Sequence, residues 1–287
     1  MTDKRYIPTE IRKYLRQEVG YGCPIEGCRS PFLSYHHFDP KFSECQCHNK
    51  DKMIALCLEH HKKADVDTWS NDTLYSYKNA ENRIPVNGQI DWDMHKSVIL
   101  VGSNFFFGET FSFIIRDIEV FALKQKSDGK FYINAILLDE KCQILSEIRE
   151  NDIILNPFAV EDFECTPSGS EIKIESICKA TKIHLVFQRW SLDDFNPLVN
   201  RAIPDVKNIL LESLESKLVD GKIMTISFFC MIKTNMFTVA AKEKRLFFDF
   251  TKSEIPNVKA NLKGAVWSKN GLCINAENSK LLAFGEI

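Results

Sequence analysis

The sequence predicts an α+β chain in which a metal-clipped ββα unit is followed by a mainly antiparallel β-rich C-terminal domain. One observation is local: residues 23–61 hold five of the ten cysteines and five of the seven histidines, at spacings that suit metal ligation. The second is a change of pattern beyond Asp65, where short runs rich in Phe, Ile and Val alternate with turn signals. The third is size. With 287 residues and 44% hydrophobic composition the chain can bury two cores, which divides it into residues 1–80, a linker over 81–96 and a β-rich domain over 97–287.

Residues 7–20 read as an amphipathic helix. Pro8 suits its first turn, Ile11, Leu15 and Val19 recur at helical spacing, and Gly20 with Gly22 stops it before Cys23. A strand over 32–38 carries the adjacent pair His36 and His37, a short partner strand follows at 53–56, and residues 58–66 form a helix. Ser70, Asn71 and Asp72 cap a further helix over 73–79, and Pro85 with Asn87 and Gly88 mark the linker.

A tetrahedral site takes four donors, commonly as two pairs, each close enough in sequence for one turn to present both side chains. Cys23 with Cys28 and Cys57 with His60 meet that requirement, and a Pro and Gly punctuated knuckle separates the first two. The alternative is a set of buried free thiols, because unpaired cysteine is among the most buried residue types. Cys45, Cys47 and His48 lie in the intervening loop, where the two thiols either compete for the ion, build a second site with His48, or remain non-ligands. His36, His37 and His61 are left over from the four-donor set. Adjacent residues on a strand point to opposite faces, so His36 and His37 do not readily bind one ion.

The segments Cys23-Pro-Ile-Glu-Gly-Cys-Arg-Ser-Pro-Phe-Leu-Ser-Tyr-His-His-Phe-Asp-Pro40 and Met53-Ile-Ala-Leu-Cys-Leu-Glu-His-His-Lys-Lys-Ala-Asp65 resemble the HNH endonuclease family, in its zinc-stapled ββα-metal branch. The resemblance covers about the first quarter of the chain. It implies a structural zinc on Cys23, Cys28, Cys57 and His60, and a catalytic Mg2+ or Mn2+ held by His36 and His61. His37 is then the base that activates water for phosphodiester hydrolysis. The family's middle asparagine falls at Lys52 here, and Asn49 is the asparagine available to pin the loop. Similar nucleases place a basic leading helix on the phosphate backbone, a role that falls to Arg12, Lys13 and Arg16, with Lys62 and Lys63 near the ion; for the helix the alternative is a solvated basic face. Asp39 reads as a turn residue or a support for the site, and Asp65, four residues after His61, as a group that orients it or pairs with Lys62. The substrate implied is nucleic acid, DNA ahead of RNA. The rival reading is a non-catalytic zinc module that recognises nucleic acid or protein.

In the β-rich part, strands are expected over 98–101, 111–123, 131–138, 172–177, 183–187, 223–231 and 246–250, with one helix over 206–218. Its role is recognition of a protein or ligand partner, regulation or assembly. Cys142, Cys165, Cys178, Cys230 and Cys273 read as dispersed buried thiols, and Trp190 and Trp267 as core. The net charge is −2: residues 1–65 carry 11 Lys plus Arg against 9 Asp plus Glu, the remainder 26 against 30. A bound cation therefore has to supply positive charge where phosphate approaches. With no signal run and no apolar stretch long enough to span a bilayer, the expectation is a soluble, cytoplasmic protein with reduced thiols and no membrane partner.

Overall fold

The computed structural model describes the chain except residues 1–4, 81–83, 93–94, 102–103, 116–117, 201–203, 234, 236–237, 243–244, 250–257, 269–272 and 282–287, and from residue 236 onward it describes backbone alone. The N-terminal unit runs α1 (Thr9–Glu18), β1 (Leu33–His37), a one-turn α2 (Phe42–Cys45), a 3-10 turn (Lys50–Lys52), β2 (Met53–Cys57), α3 (Leu58–Asp65) and α4 (Asn71–Asn79). β1 and β2 pair antiparallel from Leu33 opposite Cys57 to His37 opposite Met53, and α3 starts directly after β2. The expected strand–strand–helix order is therefore present. Pro8 sits just ahead of α1 and Gly20, at φ 61°, turns the chain after it. The stripe of Leu15 and Val19 packs against β2, whose Met53, Ile54, Ala55 and Leu56 are fully buried. Each large apolar side chain so buried stabilises the unit by about 1.5–3 kcal/mol. Ser70 caps α4 by accepting the Thr73 amide at 3.2 Å, two residues earlier than the sequence reading began the helix.

The remainder is one large curled sheet with helices on its flank. Its strands are β3 (Val86–Gln89), β4 (Val98–Val101), β5 (Asn104–Ile115), β6 (Ile118–Gln125), β7 (Phe131–Leu138), β8 (Ile144–Arg149), β9 (Asp152–Leu155), β10 (Val160–Cys165), β11 (Glu171–Ser176), β12 (Thr181–Trp190), β13 (Ile223–Lys233), β14 (Thr238–Lys242), β15 (Arg245–Asp249), β16 (Val258–Ser268) and β17 (Cys273–Leu281). The order is β10-β11-β12-β13-β4-β5-β6-β7-β8-β9-β3, with the β14–β15 hairpin on β13 and the β16–β17 hairpin on β5. Every pairing is antiparallel except β4 with β13. Curling brings β7 onto β12, where the Thr181 hydroxyl donates to the Leu138 carbonyl at 2.9 Å and accepts the Leu138 amide at 3.2 Å. The core lies inside that curl, with Phe121 stacked on Phe228. Two helices, α5 (Asn196–Val199) and α6 (Pro204–Glu215), lie between β12 and β13 and bury Leu210 and Leu214. Among the described residues no helix is long and apolar enough to cross a membrane.

Several expectations need correcting. Residues 86–89 are not linker: they form β3 on the sheet edge beside β9, because Val86 and Ile90 are both buried. Gly88 marks a close approach rather than a turn, since a Cβ there would stand 2.4 Å from Pro31 Cδ. Residues 81–83 and 93–94 of the expected linker lie outside the described residues. The run 111–123 is two strands, β5 and β6, whose junction at 116–117 is likewise outside them. Cys142 and Cys178 are only partly buried, Cys165 and Cys230 fully, and the side chains of Cys273 and Trp267 are not described. Trp190 is half-buried against Phe195.

The basic face of α1 meets carboxylates rather than solvent. Arg12 pairs with Glu164 at 2.8 Å and Lys13 with Glu161 at 2.8 Å. Arg16, 1% exposed, pairs with Asp162 at 2.7 Å and Glu164 at 3.0 Å, and donates to the Tyr35 hydroxyl at 2.7 Å. The three side chains expected to meet phosphate thus have carboxylate partners on β10, and of the three Arg16 is buried. Removing Arg16 leaves two carboxylates at the interface without their cation. Arg16→Ala is expected to lower unfolding stability by about 3 kcal/mol, and the more exposed Arg12→Ala by under about 1 kcal/mol. Denaturant midpoints check this, and equal small losses would show that the interface does not depend on Arg16.

Candidate metal centre

Cys23 and Cys28 flank a turn closed by the Cys28 amide on the Ile25 carbonyl at 3.0 Å, with Gly27 at φ 76°. Cys57 ends β2 and stands at the N-cap of α3, which carries His60 one turn on. Their donor atoms converge: Cys23 Sγ and Cys57 Sγ each lie 3.3 Å from His60 Nδ1, and Cys28 Sγ lies 3.8 Å from Cys57 Sγ. A tetrahedral zinc with ordinary bond lengths gives S–S edges of about 3.8 Å and S–N edges of about 3.5 Å. All four atoms lie within 4.8 Å of one another, a group compatible with zinc. Burial pushes the Cys23 and Cys28 thiols up, so they stay protonated until a dication takes the protons' place. Arg29, 8% exposed, braces this corner by donating to the carbonyls of Val19, Gly20, Gly22 and Ile84.

A second group lies one helical step away. His36 Nδ1 stands 3.1 Å and His61 Nε2 3.6 Å from Asp65 Oδ1, and the two imidazoles meet edge to face at 5.0 Å. The three donors form a cluster able to hold a cation. Alternation on β1 puts Ser34 and His36 on the side facing α3, and the Ser34 hydroxyl donates to the Leu56 carbonyl at 3.1 Å. That leaves its oxygen to accept His61 Nδ1–H at 2.6 Å, so His61 Nε2 carries a lone pair. A lone pair facing a carboxylate is unfavourable unless a cation lies between them. Burial lowers the pKa of His36 and of His61, keeping both imidazoles neutral and competent as ligands. Asp65 is 58% exposed, so the group opens to solvent on that side. Two imidazoles and one carboxylate form a mixed nitrogen and oxygen donor set, softer than the all-oxygen sets that Mg2+ favours. The sequence offers Asp65 equally as a group that orients His61 and as a partner of Lys62 or solvent; its i, i+4 spacing from His61 is the signal that places it here.

His37 points to the other face of β1, where its Nε2 lies 2.9 Å from His48 Nδ1 and Phe42 packs against both rings. Burial first, then the neighbouring His48, His36 and His61, lowers its pKa to about 4. The sequence offers His48 only as a possible metal donor. Cys45 and Cys47 are disulfide-bonded to each other, which removes both from competition for the four-donor group and departs from the expectation of reduced thiols throughout. The Asn49 side chain accepts the Asp51 amide at 3.0 Å and caps the local 3-10 turn. The loop is pinned instead by Lys52, at the family's asparagine position, which donates to Asp39 Oδ2 at 2.9 Å and to the Tyr75 hydroxyl at 2.8 Å. Tyr75 in turn donates to the same Asp39 oxygen at 2.8 Å. Lys62 is exposed and makes no hydrogen bond or ion pair among the described residues, whereas Lys63 pairs with Glu59 at 2.7 Å.

No family model, no curated protein and no solved structure matches this chain. The Lys52 contacts carry an expectation of their own. Lys52→Met is expected to speed hydrogen exchange across residues 38–42 and leave β2 amides protected. Unchanged exchange in the loop would assign its order to other contacts.

Proposed function

We propose that the chain is a metal-dependent HNH-type endonuclease that hydrolyses phosphodiester bonds of nucleic acid, with DNA the favoured substrate. The observation that carries this reading is the division of labour among donors: a closed four-donor group compatible with zinc, a separate open group of His36, His61 and Asp65, and His37 on the opposite strand face. A structural zinc module has no need of the second group. His36, His61 and Asp65 would hold a divalent cation, and such an ion would supply neutralisation of the charge that develops on a phosphodiester leaving group. His36 and His61 are held neutral and oriented, the latter by Ser34. Neutral His37 takes the proton from the attacking water, an assistance worth roughly 10²- to 10⁴-fold. Its lowered pKa keeps it unprotonated at neutral pH. Lys62, exposed beside the site, is available to a phosphate.

Metal analysis of the purified chain is expected to find one tightly held zinc. Asp65→Asn should retain that zinc while weakening Mn2+ binding at least about tenfold, read by Mn2+ titration, since it removes one ligand charge. Loss of zinc in that variant would merge the two groups into one. His37→Ala should keep zinc and fold yet lose metal-dependent cleavage of plasmid DNA by about 10²-fold or more. Zinc-loaded wild-type protein that cuts neither DNA nor RNA with Mn2+, Mg2+, Ni2+ or Co2+ would leave the non-catalytic module as the reading that survives.

A further inference from the structure

We infer that His48 is a positioning residue for His37: it accepts the Nε2–H of His37 and thereby leaves the Nδ1 lone pair as the proton acceptor. The role in hydrolysis rests on the nuclease reading, whereas the hydrogen-bond polarity does not. With His37 Nε2 and His48 Nδ1 2.9 Å apart, a single hydrogen lies between two imidazole nitrogens, so one ring donates and the other accepts. If His37 donates, its proton is on Nε2, and His48, accepting at Nδ1, also carries its proton on Nε2. If His48 donates, both rings are forced into the Nδ1–H form. A neutral histidine side chain ordinarily prefers Nε2–H, so the first arrangement places the His37 ring in its favoured tautomer and the second in the disfavoured one. Among the described residues no group hydrogen-bonds to His37 Nδ1, which leaves that nitrogen available to water.

The loop is built to hold this pair. Phe42 stacks on the His48 ring at 5.2 Å and 16°, and packs against His37 at 5.1 Å. One turn of α2, ended by Gln46 at φ 49° with its amide on the Phe42 carbonyl at 2.8 Å, reverses the chain, and the Cys45–Cys47 bridge closes the reversal one residue before His48. Proton transfer then balances simply. Water gives its proton to His37 Nδ1, its oxygen attacks phosphorus, and the resulting imidazolium keeps its Nε2–H on His48.

The test uses zinc-loaded full-length protein. Two-bond 15N–1H spectra should report His37 as the Nε2–H tautomer in the wild type. His48→Leu, which removes the acceptor, should mix the tautomers and lower kcat at least about tenfold with KM little changed. His48→Gln, whose amide oxygen can accept Nε2–H, should restore the wild-type tautomer and most of kcat. His37 found as Nδ1–H in the wild type overturns the proposal, as does a His48→Leu spectrum identical to wild type with retained zinc. A wild type that shows the Nε2–H tautomer yet cleaves nothing would uphold the assigned polarity and overturn the nuclease reading, so the two failures are distinguishable.

Discussion

Cys57 serves three structural ends at once, and the geometry of the N-terminal unit depends on that coincidence. It is the last residue of β2, the N-cap of α3 and a donor in the four-atom group. Because the strand ends where the helix begins, the direction in which α3 leaves the hairpin is fixed by the same residue that ties the hairpin to the knuckle at Cys23 and Cys28. His60 then falls one turn into the helix, facing the knuckle, and its neighbour His61 is rotated by about 100° toward β1. That rotation brings His61 to His36 and Ser34. A free helix end joined by a flexible turn would not hold two imidazoles and a carboxylate at the separations observed.

Strand alternation does the rest. Ser34 and His36 serve the face toward α3, while Tyr35 and His37 serve the other, where Tyr35 meets Arg16 and His37 meets His48. Arg16 links this strand to the β-rich sheet, since the guanidinium that binds the Tyr35 hydroxyl also binds Asp162 and Glu164 on β10. The residue beside the histidine pair is therefore one side chain from the sheet.

What could be read from the sequence was what is local. Metal donors at short spacing, a Pro and Gly knuckle, an apolar stripe on residues 11, 15 and 19, and a Ser70 cap each act within a few residues, and each has its counterpart in the structure. The opposite faces of His36 and His37 followed from strand geometry alone. Long-range pairings were not legible. Arg12, Lys13 and Arg16 meet carboxylates more than 140 residues away, so their amphipathic placement looked the same as a phosphate-binding face. β3 was hidden because Asn87 and Gly88 carry a turn signal, and only the proximity of Pro31 reveals why glycine is needed there. The acidic strand β10 mixes Glu161, Asp162 and Glu164 with apolar residues, a composition that local β propensity ranks poorly.

The charge distribution bears directly on how a polyanion could approach under the nuclease reading. The first 65 residues carry a formal excess of two positive charges, yet β10 neutralises three cations on α1. Lys41, Lys52 and Lys63 are likewise paired, with Asp67, Asp39 and Glu59. Within the N-terminal unit the basic side chains that could have formed a broad electrostatic footprint are thus largely answered from within the protein. Among the described residues, attraction for phosphate then rests on exposed cations without a carboxylate partner, such as Lys62 and Lys50, and on a dication at the open group, since a zinc held by three thiolates carries a net negative charge. Binding would then depend on the metal as much as the chemistry does: without the dication the open group presents a carboxylate and two neutral imidazoles, a surface that repels phosphate rather than holding it.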